Sequence, residues 1–328
     1  MNIRGILIAA LGSLTLFSLK PVLRAQTINM QYVTVGNPGN AADTAVMWNG
    51  DKTTNYGSVG YTYNIGKYDV TDSQYCTFLN AVDPKGANAL GLYWTGSYAE
   101  YGIACNAAAA NGSKYSVITG YANMPVVYLT YWDVLRFCNW MDNGEKKGST
   151  ETGAYTLLGE SPTPSNAAAL LENPQHNAGA TVWLPSENEW YKAAYYDPTL
   201  NSGIGGYWMY ATQSNSAPGN VVGNSPNQAN YRNENGYSVT QSSSRSSRQN
   251  YLTPVGAFTS SASYYGTYDQ AGDVWNWTST IILSSQSPVA RGGSWQLDVR
   301  RLSSSFRNSV FHPSVAAGLF GFRVAKYP

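Results

Sequence analysis

Five residues carry the side chains best suited to nucleophilic or soft-metal chemistry: Cys76, Cys105, Cys138, His176 and His312. Thiolates hold copper(I) and zinc, and neutral imidazoles hold zinc and iron. Two histidines cannot build a three-histidine centre, so a catalytic zinc or non-haem iron site of that kind is excluded. The composition allows a Ser-His-Asp triad, but no Gly-x-Ser-x-Gly elbow accompanies it. Both histidines read as surface or packing residues; His312 precedes Pro313 in a polar loop. No Cys-x-x-Cys spacing joins the thiols. Cys76 and Cys138 fall within apolar, helix-like stretches and read as small buried hydrophobes. An odd count in an exported chain leaves at least one thiol unpaired or paired between chains, and the sequence does not choose which two, if any, form a disulfide.

Charge sets the next bound. The 328 residues carry 20 Lys+Arg and 19 Asp+Glu, a net charge of +1. Charged residues make up 12%, about half the usual ~25%. A near-neutral chain lacks the cation surplus that a phosphate track requires, so no nucleic-acid partner is expected. Residues 1–25 read as a signal peptide: Arg4, then the apolar run Ile6 to Leu19, then a polar stretch ending at Ala25. That run is shorter than the ~20 residues of a membrane-spanning helix. Cleavage after Ala25 would leave 17 cations against 19 acids, a charge of −2. No later apolar run reaches ~18 residues, so no membrane span is expected after signal removal. The expected location is extracellular, periplasmic or at the cell surface.

Three helices and several short strands must position whatever the chain does. Thr71 is placed to cap a helix carrying Tyr75, Phe78, Leu79 and Val82, and Thr130 one carrying Val134, Phe137, Cys138 and Met141. Ser186 and Glu189 form a capping box opening a third helix that stops at Asp197-Pro198. Strands are expected at 28–35, 61–68, 125–129, 182–185, 273–278, 289–295 and 321–324. Residues 142–180 read as an insertion. Residues 199–262 lack regular pattern, with a mobile surface loop at 238–250, and a stretch that long needs a staple, for which bound cations are a candidate. Few helices, many short strands and long loops make one α+β domain over residues 26–328.

Four ordered segments carry a family pattern: Lys67-Tyr68-Asp69-Val70-Thr71; Leu184-Pro185-Ser186-Glu187-Asn188-Glu189-Trp190; Gly272-Asp273-Val274-Trp275-Asn276-Trp277; and Arg291-Gly292-Gly293-Ser294-Trp295 with Gly321-Phe322-Arg323. Over essentially the whole mature chain this resembles the formylglycine-generating enzyme, or sulfatase-modifying-factor, family. The resemblance implies a variant of the C-type-lectin-like fold, low in regular secondary structure. Trp190, Trp275, Trp277 and Trp295 are expected to be its buried anchors, each able to cover ~150–250 Å². Glu187 and Arg291 are candidates for a buried ion pair.

The family's activity is oxidation of a sulfatase cysteine to formylglycine, with copper held by two cysteines between the R-G-G-S and G-F-R segments. Those positions fall near Val299 and Ser304, so no catalytic residue carries over and copper is not expected. The family also binds calcium. Carried over, one site would use the carbonyls of Gly272 and Val274 with the Asn276 side chain, where the family has Glu; a second would fall at Asn230 and Tyr231 and lacks its Asp. Some relatives of this fold display a diversified C-terminal surface. Residues 291–328 hold six cations against Asp298 alone. The expectation is therefore an exported binding or display module without the copper-dependent oxidation, its ligand an extracellular protein or glycan met by Trp295, Arg300, Arg301 and Arg307. The alternative is an active enzyme of the family with a non-standard site among Asp298, Ser303, Ser304 and His312.

Overall fold

The computed structural model describes residues 27–48, 52–159 and 161–328. The expected signal peptide, residues 1–25, lies outside the described residues. Each of the three expected helices starts where a side chain satisfies the orphan amides of its first turn. Helix α1 (Asp72–Val82) opens with Thr71, which accepts from the Gln74 amide while Gln74 returns to the Thr71 N–H at 2.9 Å. Helix α2 (Tyr131–Asp142) opens with Thr130 and Asp133 in the same reciprocal arrangement. A short helix α3 (Ala167–Glu172) precedes α4 (Glu187–Tyr195), whose box is Ser186 with Glu189.

The strands are short. An antiparallel four-stranded sheet runs β1 (Tyr32–Val35), β2 (Tyr63–Gly66), β13 (Ala325–Lys326), β5 (Val182–Trp183). Ala325 pairs with Ile65 on one side and Trp183 on the other, so the chain's end is stitched between its beginning and its middle. A second sheet holds β11 (Ser287–Arg291), β10 (Trp275–Ile282) and β12 (Phe320–Gly321), with β12 parallel to β10. Three two-stranded ladders complete the set: β3 (Ile103–Cys105) with β4 (Tyr115–Val117), β6 (Tyr196–Asp197) with β7 (Gly206–Tyr207), and β8 (Arg232–Asn233) with β9 (Gly236–Tyr237). The fold is α+β and C-type-lectin-like.

Aromatic packing replaces broad layers. Tyr75 and Phe78 of α1 meet Phe137 and Trp140 of α2 with ring centroids 5.3–5.9 Å apart, and Phe322 stands edge-on to Phe137 at 5.2 Å. Trp190, Trp275, Trp277 and Trp295 are all at most 1% exposed.

One expectation changes, and two stretches of weak sequence pattern gain a structural account. Residues 125–129 form no strand: Pro125 makes one bridge to Thr71, and Tyr128 turns the backbone left-handed at φ 60°. The 142–180 segment is joined to the main core, since Ala154, Tyr155, Leu157 and Leu171 are buried there and Glu151 pairs with Arg136 at 2.8 Å. Within 199–262 amide side chains hold buried backbone. Asn220 donates to the Tyr231 and Gly236 carbonyls, and Asn230 to the Tyr251 carbonyl. Such bonds satisfy buried backbone that lacks a ladder.

Candidate functional site

All four sequence segments meet at one buried node. Arg323 donates from Nη2 to Asp69 (2.9 Å) and the Tyr268 carbonyl (2.9 Å), from Nη1 to the Gly66 carbonyl (3.1 Å), and from Nε to Asn276 Oδ1 (2.8 Å). Asn276 Oδ1 also accepts from Trp190 Nε1 at 2.9 Å. Arg323, Asp69 and Asn276 are no more than 1% exposed. A guanidinium's fork geometry allows this many fixed acceptors; an ammonium's does not.

A second node lies beside it. Glu187, at the start of α4, receives Arg291 at 2.6 Å and Arg307 at 2.5 Å, with all three side chains at most 3% exposed. The pair expected between Glu187 and Arg291 is thus present, with Arg307 added. Arg291 also donates to the Ser304 and Phe306 carbonyls (2.7 and 2.9 Å) and lies 5.0 Å from the Tyr191 ring centroid. This node fixes the 304–307 backbone against α4.

The expected calcium ligands do not fit the ion. Calcium takes six to eight oxygens. Asn276 spends its oxygen on Arg323 and Trp190 and turns Nδ2 toward the Val274 carbonyl at 3.3 Å. A cation at that carbonyl would face an amide N–H₂. Asn230 directs its own Nδ2 at Asp273 Oδ1 (2.8 Å), and its carbonyl accepts the Asp273 amide at 2.8 Å. At the second expected position, Tyr231 gives its carbonyl to Asn220 and Ser238. Gly272 lies so close to Asn230 that a Cβ would sit 2.1 Å from the Asn230 oxygen, and its φ of +82° independently favours glycine.

The positions that correspond to the family's copper thiolates carry no metal-binding side chain. Val299 opens a 3₁₀ turn, Val299–Leu302, N-capped by Asp298. Ser304 is buried, its amide donating to the Met209 carbonyl at 2.8 Å. Among the described residues no group of three or more His, Cys, Asp or Glu is placed to hold a metal. Cys76 and Cys138 are buried on α1 and α2, and Cys105 is exposed on β3. Val299 borders a cleft of about 850 Å³, lined also by Arg232, Glu234, Ser243, Gln296 and Asp298.

The four residues expected to meet a ligand are not brought to one surface. Arg307 is in the Glu187 node. Trp295 is 1% exposed, stacked on Tyr251 (5.0 Å, 10°), with its indole N–H on the Gly318 carbonyl. Arg301 lies over Phe306 at 4.4 Å. Arg300 has its side chain in solvent, paired with Asp298 at 2.8 Å and 5.8 Å from the exposed Trp48 ring. The cationic excess read from residues 291–328 is absorbed inside, by Arg291, Arg307 and Arg323.

Several titrating groups escape sequence reading because their burial depends on distant chain. Asp269 is pushed up to about 7 by burial, with the Asp69 charge adding to it. Asp273 is raised well above the carboxylate range by burial, then by Asp269. Asp72 is fully buried with neither carboxylate oxygen hydrogen-bonded, and burial holds its carboxyl far above the ordinary value. Burial lowers Lys192 to about 8 while its Nζ donates to the Asn37 carbonyl at 2.8 Å.

Comparison with known proteins bears on the family and the fold. Hercynine oxygenase of Mycolicibacterium smegmatis is 28% identical over 167 residues, covering 44% of this chain and 33% of that protein. The Mycobacterium tuberculosis hercynine oxygenase is 26% identical over 163 residues, 44% of this chain and 32% of that protein. The chain thus spans about a third of the length of the curated relatives it matches. Treponema denticola variable protein 1 superposes with a TM-score of 0.53 at 18% identity, over 94% of this chain and 100% of that one. CarF gives 0.53 at 18% identity, over 92% and 100%. These structural likenesses speak to the fold. The family description "Sulfatase-modifying factor enzyme 1-like domain" matches residues 26–328, and the chain belongs to that family.

Proposed function

We propose that this chain is an exported member of the family that binds a ligand at its C-terminal half and does not perform copper-dependent cysteine oxidation. The observation that carries the reading is the 299–304 segment. Oxygen activation on copper requires two soft ligands at the substrate cysteine. Here the corresponding residues are Val299, half-buried in a 3₁₀ turn, and Ser304, whose backbone is fixed by Met209 and Arg291. The chain's thiols lie elsewhere, two of them in the core. Likeness in fold to a protein described as variable supports a binding or display role. Incubation of copper-loaded protein with a Cys-x-Pro-x-Arg peptide, followed by mass spectrometry, tests it. No change in peptide mass is expected; a loss of about 18 Da at the cysteine, reactive toward aldehyde reagents, overturns the reading. Export predicts a mature N-terminus near Gln26, which N-terminal sequencing of the secreted product checks.

The identity to hercynine oxygenases favours a second reading, an oxygenase. Weighing against it, the chain has two histidines, of which His176 stacks on Trp183 at 4.7 Å and His312 accepts from the Ser314 amide. Oxygen consumption that depends on added hercynine would establish it in place of the first.

A further inference from the structure

The segment 238–250 is held across the core at Trp295. Tyr237 and Tyr251, which flank it, both pack on that indole (5.9 and 5.0 Å). Between them Arg245 reaches back and sets its guanidinium 5.3 Å from the Trp295 ring centroid. Among the described residues this guanidinium has no hydrogen bond and no ion pair, although it carries five donors. Its neighbours nevertheless suit a cation. Glu100 is 5% exposed; burial raises its carboxyl and the Arg245 charge pulls it back down. Tyr128 lies within reach of both charges. Tyr128 is itself held at φ 60°, a conformation that a bulky aromatic residue adopts only under constraint. That backbone delivers its ring into a stack with Tyr98 (4.9 Å) and Trp94 (5.2 Å), and Tyr98 is 54% exposed.

We propose that the Trp295 face, Glu100 and Tyr128 form a recognition site for a cationic side chain of a partner protein, an arginine or a methylated lysine, which Arg245 occupies in cis. An aromatic face beside a carboxylate attracts a guanidinium through the ring quadrupole and the opposite charge. Arg245 supplies the charge but leaves its donors in water, so it is a weakly held occupant. The segment that carries it, Ser242-Ser243-Ser244-Arg245-Ser246-Ser247-Arg248, is exposed except at Ser242. With Arg245 withdrawn, the indole face opens beside the exposed Tyr98 stack and accepts the incoming cation. This deepens the binding reading above by naming a ligand class, and it rests on that reading only in taking the surroundings of Trp295, in the C-terminal half, as part of a binding surface.

The test is calorimetric titration of the mature chain, and of its Arg245→Ala variant, with a short arginine peptide and its citrulline counterpart. Arg245 is exposed and otherwise unbonded, so its removal leaves the fold intact. Arg245→Ala should bind the arginine peptide about two- to five-fold more tightly than the parent, the range expected when one exposed cation–π competitor is removed. The citrulline peptide, uncharged, should bind neither. Arginine-peptide affinity that is absent in both proteins, or unchanged or weaker in Arg245→Ala, overturns the proposal. So does a sulfated peptide bound by the parent and lost in the variant, because Arg245 would then be the receptor and not the occupant. Formylglycine production would refute the binding-module reading without altering either titration.

Discussion

Replacing Asp72 by asparagine should change how stability responds to pH, and the slope can be worked from the structure. Asp72 is the first residue of α1, 0% exposed, with both carboxylate oxygens unpartnered. It presses on Gly102 so closely that a Cβ there would stand 2.1 Å from Oδ2. Burial holds the folded-state pKa well above its ordinary value of 3.8. The unfolded chain therefore releases this proton first. Below the unfolded pKa the group contributes its full stability. As pH rises toward the folded pKa, the folded state loses about 1.36 kcal/mol per pH unit relative to the unfolded chain. Asparagine does not titrate. The stability difference, Asp72→Asn minus parent, should accordingly grow with pH above the ordinary carboxylate range, with an upper limit of about 1.4 kcal/mol per pH unit for one proton. The unpartnered amide adds a cost of roughly 1–3 kcal/mol that is the same at every pH, so the slope and not the offset is diagnostic. Urea denaturation of both proteins at pH 5 and 6 measures it. Parallel stability–pH curves would mean that the native carboxylate is ionised, refuting the claim that burial dominates over the favourable field of the helix N-terminus.

Arg323→Lys should destabilise by about 3–5 kcal/mol in chemical denaturation, because one ammonium cannot serve Asp69, Asn276 and two carbonyls, and Asp69 is left as a poorly paired buried charge. Calcium and chelator should give the same melting midpoint, since the Asn276 oxygen is taken by Arg323 and Trp190; a rise with calcium would contradict that assignment. Native protein should react with one equivalent of a maleimide, at the exposed Cys105, and with two more after denaturation, because Cys76 is pushed up to about 11 by burial and Cys138 is buried on α2. Asp269→Asn should flatten the loss of stability between pH 5 and 7, as its native carboxyl titrates near 7 against an ordinary 3.8, with unfolding at each pH as the readout.

What could be read from sequence is what short range decides. Capping at Thr71, Thr130 and Ser186 needs residues three apart, so helix starts were legible. The order of the four segments carried the family and the fold, and the absence of any cysteine after Cys138 was legible as well. The extended segment 125–129 looked like a strand because Val126 and Val127 are apolar and β-branched. It found no ladder because Tyr128 turns left-handed and donates to Ala317. The same limit applied to the site. Six cations near the C-terminus suggested a basic surface, yet three of them are drawn inward by Glu187, Asp69 and backbone carbonyls. Arg245, in a serine-rich stretch with no local pattern, is the cation that lies on Trp295. Which charges stay in solvent depends on partners 13 to more than 200 residues away along the chain, as Arg323 with Asp69 illustrates at a separation of 254. Spacing along the sequence records no such distance; only the folded backbone brings those groups together, in an interior where an unpaired charge is too costly to keep.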